Sequence, residues 1–362
     1  MAGSERERRT AQIEQFEESL AYFNFINSIK SKASKKVYQF HLNAFIQYYQ
    51  LDSAASIMSL TSEELRDKIV KYFLDKKHFR RSTQSVALSA IKHFCAMNDI
   101  VLNWKKINKF ALNSDIPKLQ NRAYTHEEIK QVVDYCDHRI RTMFLFLAST
   151  GVRIGALRNM KIKDLVDKGQ IYQVKVYPGE NEEYITFTTP ECKVAIDNYL
   201  DFRKRNGELI TPDSYLFVQQ YNKFKRIRAK PFANKSIDNL LQLWLVNSGV
   251  RTVDPVNPGG YKDVQRLHGF RKFFTKQLVD SKVGPEIREM LLGHNIGLAG
   301  TYYKPTDEDI QSEYEKAIDA LTIDPANRLR KKVEKLEVEK TQIEALALEL
   351  EKVKKAISQT KK

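Results

Sequence analysis

The sequence has few cysteines and no long apolar run. Its three cysteines, Cys95, Cys136 and Cys192, lie far apart and form neither a CxxC pair nor a Cys/His ligand set. They therefore indicate neither a disulfide framework nor a zinc site, and they fit a reducing compartment. The strongest apolar run, MFLFLA at residues 143–148, is far too short to cross a bilayer. The opening MAGSERERRT is charged where a signal peptide is apolar, so we expect a cytoplasmic protein.

Acidic residues are also fewer than basic residues. Lys and Arg number 60 against 45 Asp and Glu, which gives a formal net charge of +15. A surplus of this size favours a polyanionic partner, nucleic acid above all, although charge alone decides no function and a basic protein without such a partner is the alternative. Because 362 residues exceed the usual size of one hydrophobic core, we expect two domains.

The first part of the chain predicts an all-helical domain. Apolar residues recur at helical spacing, as in FEESLAYFNFINSI, and we expect about four helices within residues 1–112. Pro117 and polar residues then interrupt the pattern, and Thr125 with Glu128 has the spacing of a capping box. The sequence thus predicts an interdomain linker at residues 113–124.

Two basic stretches of this domain predict contacts with a nucleic-acid backbone. One is SKASKKVY at residues 31–38, and the other begins DKKHFRRST at residue 75. In the second stretch, basic residues and two hydroxyls precede a predicted helix whose N-terminal amides favour an anion. A solvated helix face is the alternative for each stretch. The candidate residues are Lys35, Lys36, Lys76, Lys77, Arg80, Arg81, Ser82 and Thr83.

Residues 125–324 predict a second domain, helical except for one β-hairpin. The stretch IYQVKVYPGENEEYITFTTPE alternates across two short runs on either side of a Pro-Gly turn signal. In the first run Val174 and Val176 face one side and Lys175 the other, so Lys175 is free to meet a ligand. The expected fold class is therefore mainly α with a small antiparallel β-sheet.

The last residues, 325–362, predict a long helical tail. Asp324 has the place of its N-cap and Pro325 that of its first residue. Apolar residues recur every seven positions, but the alternate core positions form a poor second seam, so a coiled coil between protomers and a solvated helix both fit. The recurring residues are Leu329, Leu336, Ile343, Leu350 and Ile357.

Several separated motifs carry side chains suited to chemistry. ASTGVRIGALRNM supplies Arg153 just after a Gly turn, and HGFR places His268 and Arg271 on one face of a helix. The next helix, GPEIREMLL, presents His294 just past its end, and Tyr303 follows nine positions later. Taken singly, each has a plain explanation as a surface pair, a polar loop residue or a packing tyrosine.

The succession of these motifs along the chain resembles the tyrosine recombinase (phage integrase) superfamily. That family's pattern is TGxRxxEL, a hairpin lysine, HxLR, LGH and then a tyrosine. The resemblance covers nearly the whole chain, and TFTTPE and TYYKPTDEDI look most like archaeal integrases. It implies a two-domain clamp around DNA, with a helical core-binding domain, an α+β catalytic domain and here a helical tail.

The resemblance also implies a catalytic role for each motif. The Tyr303 hydroxyl would replace the 5′ oxygen on the scissile phosphorus, and a 5′ hydroxyl of another strand would attack the resulting 3′-phosphotyrosine. Arg153 and Arg271 would neutralise the nonbridging oxygens with paired hydrogen bonds. Lys175 would protonate the leaving oxygen, and both histidines, His268 and His294, would position the phosphate and assist proton transfer.

The implied partners are double-stranded DNA and further protomers, as a dimer on one site and a tetramer in synapsis. No metal, ATP or other cofactor is implied. The prediction is a site-specific recombinase or integrase of a mobile element. A noncatalytic DNA-binding protein on the same scaffold and a type IB-like topoisomerase are the alternatives.

Three features leave details of the site open. Ala156 stands where the family has an acidic residue, three positions after the first arginine. The hairpin lacks the family's GKG turn, so the register of Lys175 is not fixed. Tyr302, beside Tyr303, is a rival nucleophile.

Overall fold

The chain divides into two units, Met1–Leu119 and Gln120–Lys362. A computed structural model describes residues 20–112, 122–219, 231–232, 234–251, 264, 266–297 and 299–360. Within these ranges no helix is long and apolar enough to span a membrane.

The first unit is helical throughout its described part. Its helices pack around buried aromatic rings, including Phe25, Phe45 and Phe94. Hydroxyl N-caps define several starts: the Thr61 hydroxyl accepts the Glu64 N–H in a capping box. Its described residues form six helices where about four were predicted, because the four residues Ala55–Met58 and the eight residues Trp104–Ala111 leave little periodic signal. They are α1 (Leu20–Asn27), α2 (Lys32–Tyr48), α3 (Ala55–Met58), α4 (Ser62–Asp75), α5 (Arg81–Met97) and α6 (Trp104–Ala111).

The second unit is built around α8, a helix that is buried along most of its length. The aromatic side chains of Phe144, Phe146, Phe270 and Phe274 fill its core. Its helices are α7 (His126–Tyr135), α8 (His138–Thr150), α9 (Ile154–Asn159), α10 (Pro190–Arg205), α11 (Asn234–Asn247), α12 (His268–Asp280), α13 (Pro285–Leu291), α14 (Ala299–Tyr302), α15 (Asp307–Glu315), α16 (Ile318–Leu321) and α17 (Pro325–Thr360).

A small antiparallel sheet of order β1-β2-β3 interrupts these helices. The predicted hairpin is formed by β2 (Tyr172–Val176) and β3 (Tyr184–Phe187), with Val174 opposite Thr186. The strand β1 (Leu165–Asp167) pairs with β2 and was not predicted, because its three residues are too few to show alternation. The Pro178–Gly179 pair makes the predicted turn: the Glu180 N–H donates to the Tyr177 carbonyl at 3.0 Å and Gly179 has a φ of 78°.

The predicted linker extends too far at its C-terminal end. Residues 113–121 lie outside the described part of the chain, but Tyr124 is buried, with its ring centroid 4.7 Å from that of Phe270. Arg122 forms a β-bridge with Val264. Residues 122–124 therefore pack within the second unit, because the aromatic ring of Tyr124 is part of its core.

The tail helix α17 starts as predicted. The Asp324 side chain accepts the Ala326 N–H at 2.8 Å, and Pro325 is the first helical residue. Glu191 holds the entry to the helix, because its carboxylate accepts the backbone N–H groups of Ile323 and Asp324 at 2.7 and 3.0 Å.

Candidate active site

The turn after α8 presents the first arginine. Gly151 ends the helix with a φ of 61°, and a Cβ at this position would lie 2.3 Å from the Phe274 ring. Only glycine therefore fits both the left-handed backbone and the close approach. Two residues later Arg153 precedes the short helix α9, with an exposed side chain. A tightly packed turn thus supports a guanidinium that is open to solvent.

The second arginine, Arg271 on α12, is buried, with 6% of its surface exposed. Its guanidinium donates to the Gly151 carbonyl at 2.8 Å and to the Leu292 carbonyl at 2.5 Å, and it contacts His294 Nε2 at 2.9 Å. Burial lowers the pKa of Arg271, and no carboxylate among the described residues forms an ion pair with it. A buried cation without a counter-ion is costly, and an anionic ligand would offset that cost.

His294 has a defined pattern of hydrogen bonds. Arginine N–H groups only donate, so the Nε2 atom of His294 must accept from Arg271. The proton therefore lies on Nδ1, which donates to the Glu289 carboxylate at 2.5 Å. Glu289 thus fixes the tautomer that keeps a lone pair on the Arg271 side. The sequence did not point to Glu289, since a glutamate on an exposed helix face has no distinguishing pattern.

Replacing Glu289 with alanine should remove the preference of His294 for the tautomer protonated on Nδ1. We expect nitrogen chemical shifts of labelled histidine to show His294 as the Nδ1–H form in the wild type, with Nε2–H gaining in Glu289→Ala. A hydrogen bond to a charged group contributes about 1.5–3 kcal/mol, so the affinity of the site for an anionic ligand should fall by about tenfold or more. Glu289→Gln retains an acceptor oxygen and should fall between the two. Glu286→Ala, on the exposed face of the same helix, is the control; equal tautomer ratios in all variants would contradict the assignment.

His268 opens the same helix as Arg271, and its side chain is exposed. Partial burial lowers the pKa of His268, and the charges of Lys272, Arg271 and Arg153 act in the same direction. The imidazole is therefore neutral at pH 7, with a lone pair available for a proton.

Two tyrosines of the β-hairpin lie beside the arginines. Tyr184 packs against the turn at Gly293, where a Cβ would lie 2.4 Å from its ring. Its hydroxyl is buried and lies beside the Arg271 guanidinium. Burial raises the pKa of Tyr184, and the charge of Arg271 opposes that effect. The Tyr177 ring centroid lies 6.4 Å from that of Tyr184. The sequence did not point to either phenol, because their approach to the arginines depends on the fold.

A profile of the phage integrase family matches residues 122–309 of this chain, the part that holds all of these groups. The chain belongs to the phage integrase family.

The chain is also similar to known recombinases in sequence and in fold. Tyrosine recombinase XerA of Pyrococcus horikoshii is 23% identical over 290 residues, covering 80% of this chain and 88% of the relative. A crystal structure of the XerH site-specific recombinase bound to palindromic difH substrate has a TM-score of 0.54 at 16% identity, covering 79% of each chain. A lambda integrase tetramer bound to a Holliday junction has a TM-score of 0.51 at 16% identity, covering 82% of this chain and 79% of that one. These structures share the fold, and the predicted fold class is confirmed.

Some residues of the family pattern are not joined to the arginines. Lys175 is exposed on β2 and lines a cavity of about 330 Å³ with Ala156 and Tyr177, but no described contact connects it to Arg153 or Arg271. Ala156, where the family has an acid, is buried. The Ala156 methyl also lines the cavity beside Lys175 and Tyr177, so at this position an alanine stands next to the two hairpin groups in place of the family's carboxylate.

The predicted nucleophile lies just beyond α14. The Tyr303 side chain is 44% exposed and that of Tyr302 is 89% exposed. Four residues further on, the Asp307 carboxylate accepts from Gln173 of β2 at 2.7 Å. Because a residue spans at most about 3.6 Å, the Tyr303 backbone stays within about 14 Å of Asp307. No described contact joins either tyrosine to the arginines.

The candidate DNA-binding residues lie in the first unit, on and before two helices. Lys35 is half-buried and Lys36 is exposed in the first turns of α2. Helix α5 begins at Arg81, so Ser82 and Thr83 lie within its first turn and do not precede the helix as predicted. The N-cap Arg80 offers no side-chain acceptor to the first amides.

Two neighbouring lysines that were predicted to contact DNA are partly buried within the first unit. Lys76 and Lys77 are half-buried just past the end of α4. The Lys76 ammonium lies 4.9 Å from the ring centroid of Tyr72 and 5.0 Å from that of Phe79. Lys76 thus makes cation–π contacts within the unit.

Proposed function

We propose that this chain is a site-specific DNA recombinase that cleaves and rejoins strands through a 3′-phosphotyrosyl intermediate. The main support for this proposal is the buried guanidinium of Arg271. It donates to two backbone carbonyls and lacks a carboxylate partner among the described residues. Together with the exposed Arg153 it suits a phosphodiester, whose charge grows on the nonbridging oxygens in the transition state. Family membership favours DNA as the source of that phosphate.

The groups around the arginines supply the remaining steps. Tyr303 attacks the phosphorus, and its proton passes to the neutral imidazole of His268. His294 orients Arg271 through its Nε2 atom and so fixes the guanidinium that binds the phosphate. Two hairpin groups near this site carry a transferable proton for the leaving 5′ oxygen: the Lys175 ammonium and the Tyr177 hydroxyl.

Covalent capture tests this function on DNA of any target sequence. A library of nicked duplexes with randomised sequence is incubated with the protein, denatured with detergent and separated from free DNA. We expect adducts whose DNA carries a shared pair of inverted repeats. A footprint without any adduct would indicate a binding protein, and relaxation of supercoiled DNA without a shared sequence would indicate a topoisomerase.

DNA binding should depend steeply on salt, because lysines and arginines release counterions from phosphates. Each neutralised phosphate adds about 0.9 to the slope of log K against log salt. The double variant Lys36→Ala/Arg81→Ala should therefore lower the slope by about 1.8. Lys204→Ala removes a lysine that lies 3.6 Å from Asp201 and should leave the slope unchanged. An affinity that hardly moves between low and physiological salt would contradict these contacts.

Assembly on DNA as a dimer and then a tetramer belongs to this proposal. The tetrameric lambda integrase structure supports it, and so do four apolar side chains along the tail. Leu329, Leu336, Ile343 and Leu350 are 64%, 54%, 66% and 55% exposed and recur every seven residues. A second copy of the helix would cover them.

Ending the chain at Asp324 should lower the oligomeric state on DNA. The truncation keeps both backbone N–H groups that Glu191 accepts, so the catalytic unit retains its anchor. Light scattering of the DNA complex is the measurement. Leu336→Glu/Ile343→Glu in the full chain should act alike, and Glu344→Gln should not. Assemblies of equal mass in all variants would exclude a role for the tail.

A further inference from the structure

We propose that the Tyr177 hydroxyl is the proton donor to the leaving 5′ oxygen, in place of the lysine that the sequence suggests. This inference rests on the proposed function and names a further catalytic residue for it. Tyr177 directly follows β2, at the first position of the hairpin turn.

The backbone of Tyr177 adopts an unusual conformation. Its φ is 55°, in the left-handed region, although it is not glycine and precedes Pro178, where extended backbone is favoured. The turn holds it there: the Tyr177 carbonyl accepts from Glu180 at 3.0 Å, and the Gly179 N–H donates to the Glu183 carboxylate at 2.6 Å. Strained backbone of this kind concentrates at functional sites, where it aims a side chain.

The ring of Tyr177 is aimed at the first arginine's turn. Its hydroxyl lies 3.7 Å from the position that a Cβ on Gly155 would occupy, two residues beyond Arg153. Partial burial raises the pKa of Tyr177, and the charges of Glu182 and Glu180 add to that rise, while the charges of Arg153 and Arg271 act against it. The phenol therefore keeps its proton near pH 7, and the same two cations stabilise the phenolate that proton transfer leaves behind.

The neighbouring groups are less suited to this role. Lys175 has no described contact with the arginines, and its strand position opposite Ile185 places it before the turn. The Tyr184 hydroxyl is fully buried. Tyr177 is partly exposed, and its hydroxyl lies beside Gly155, two residues beyond Arg153.

The proposed step balances in both directions. In cleavage, the Tyr303 oxygen forms a bond to phosphorus, the bond from phosphorus to the 5′ oxygen breaks, and the Tyr177 proton moves to that oxygen. In rejoining, the incoming 5′ hydroxyl returns its proton to the Tyr177 phenolate as it attacks phosphorus. His268 then gives Tyr303 its proton back, so no external co-reactant is consumed.

The test compares two leaving groups in Tyr177→Phe. A substrate with sulfur in place of the bridging 5′ oxygen leaves as a thiolate and needs no proton, so its cleavage does not depend on a general acid. On the oxygen substrate, we expect Tyr177→Phe to cleave about 10²–10⁴ times more slowly than the wild type. On the sulfur substrate it should cleave close to the wild-type rate. Lys175→Met should keep the wild-type ratio of sulfur to oxygen rates, whatever its absolute rate.

DNA-binding affinity and thermal unfolding are measured for each variant. Tyr135→Phe, which removes a tyrosine hydroxyl outside the site, is the control. Wild-type cleavage of the oxygen substrate by Tyr177→Phe would overturn the proposal. So would equal loss on both substrates, or sulfur rescue in Lys175→Met instead. A wild-type protein that forms no adduct on either substrate would contradict the recombinase function itself, which is a distinguishable outcome.

Discussion

Tyr303→Phe should abolish the covalent protein–DNA adduct on a nicked substrate while leaving binding intact. Phenylalanine removes only the hydroxyl, and this residue is 44% exposed, so neither the fold nor the DNA surface should change. Without a nucleophile no covalent intermediate forms, and cleavage should fall at least about 10⁴-fold. Gel electrophoresis under denaturing conditions measures the adduct, and a mobility shift measures binding.

Tyr302→Phe is the matched control for this prediction. It removes a neighbouring hydroxyl that is 89% exposed and should retain the adduct. The reverse pattern, with adduct lost in Tyr302→Phe and kept in Tyr303→Phe, would move the nucleophile by one residue. Adduct in both single variants would exclude each of them as the sole nucleophile.

Arg271→Ala should impair both cleavage and stability. The substitution leaves the buried carbonyls of Gly151 and Leu292 without their donor, and unpaired groups of this kind cost about 1–3 kcal/mol each. Removal of the buried cation, which lacks a counter-ion, offsets part of this cost, so we expect a net loss of about 1–3 kcal/mol in the free energy of unfolding. Loss of a charged donor to the transition state should slow cleavage by at least about 10²–10³-fold.

Arg153→Ala separates the two effects. Its side chain is exposed, so unfolding should change little while cleavage falls by a comparable factor. Urea denaturation and single-turnover cleavage with a suicide substrate measure the pair. Full cleavage by a folded Arg153→Ala protein would contradict the assignment of a shared phosphate site to these arginines.

Local chemistry explains which parts of this structure could be predicted. Glycine and proline act on their own backbone. The C-terminal end of α8 at Gly151, the start of α17 at Pro325 and the hairpin turn at Pro178–Gly179 therefore follow from a few adjacent residues. The motif around Arg271 was visible as a pattern. Its burial and its bonds to Gly151 and Leu292 were not, because they join residues 120 and 21 positions away.

The same reason explains what the sequence did not reveal. Tyr177, Tyr184 and Glu289 acquire their places only when the hairpin, α12 and α13 fold together. Lys175 was favoured because strand alternation predicts exposure, and the side chain is exposed as expected. Alternation carries no information about which functional group lies beside the arginines, however, and the turn after the strand places Tyr177 there.

Mapping the covalent bond tests the central claim most directly. The trapped protein–DNA complex is digested with protease and nuclease, and the remaining nucleotide-bearing peptide is sequenced by mass spectrometry. We predict one modified residue, Tyr303, joined to the 3′ phosphate of a strand whose partner ends in a free 5′ hydroxyl. A nucleotide on another residue, a linkage through a 5′ phosphate, or no covalent complex at all would contradict it.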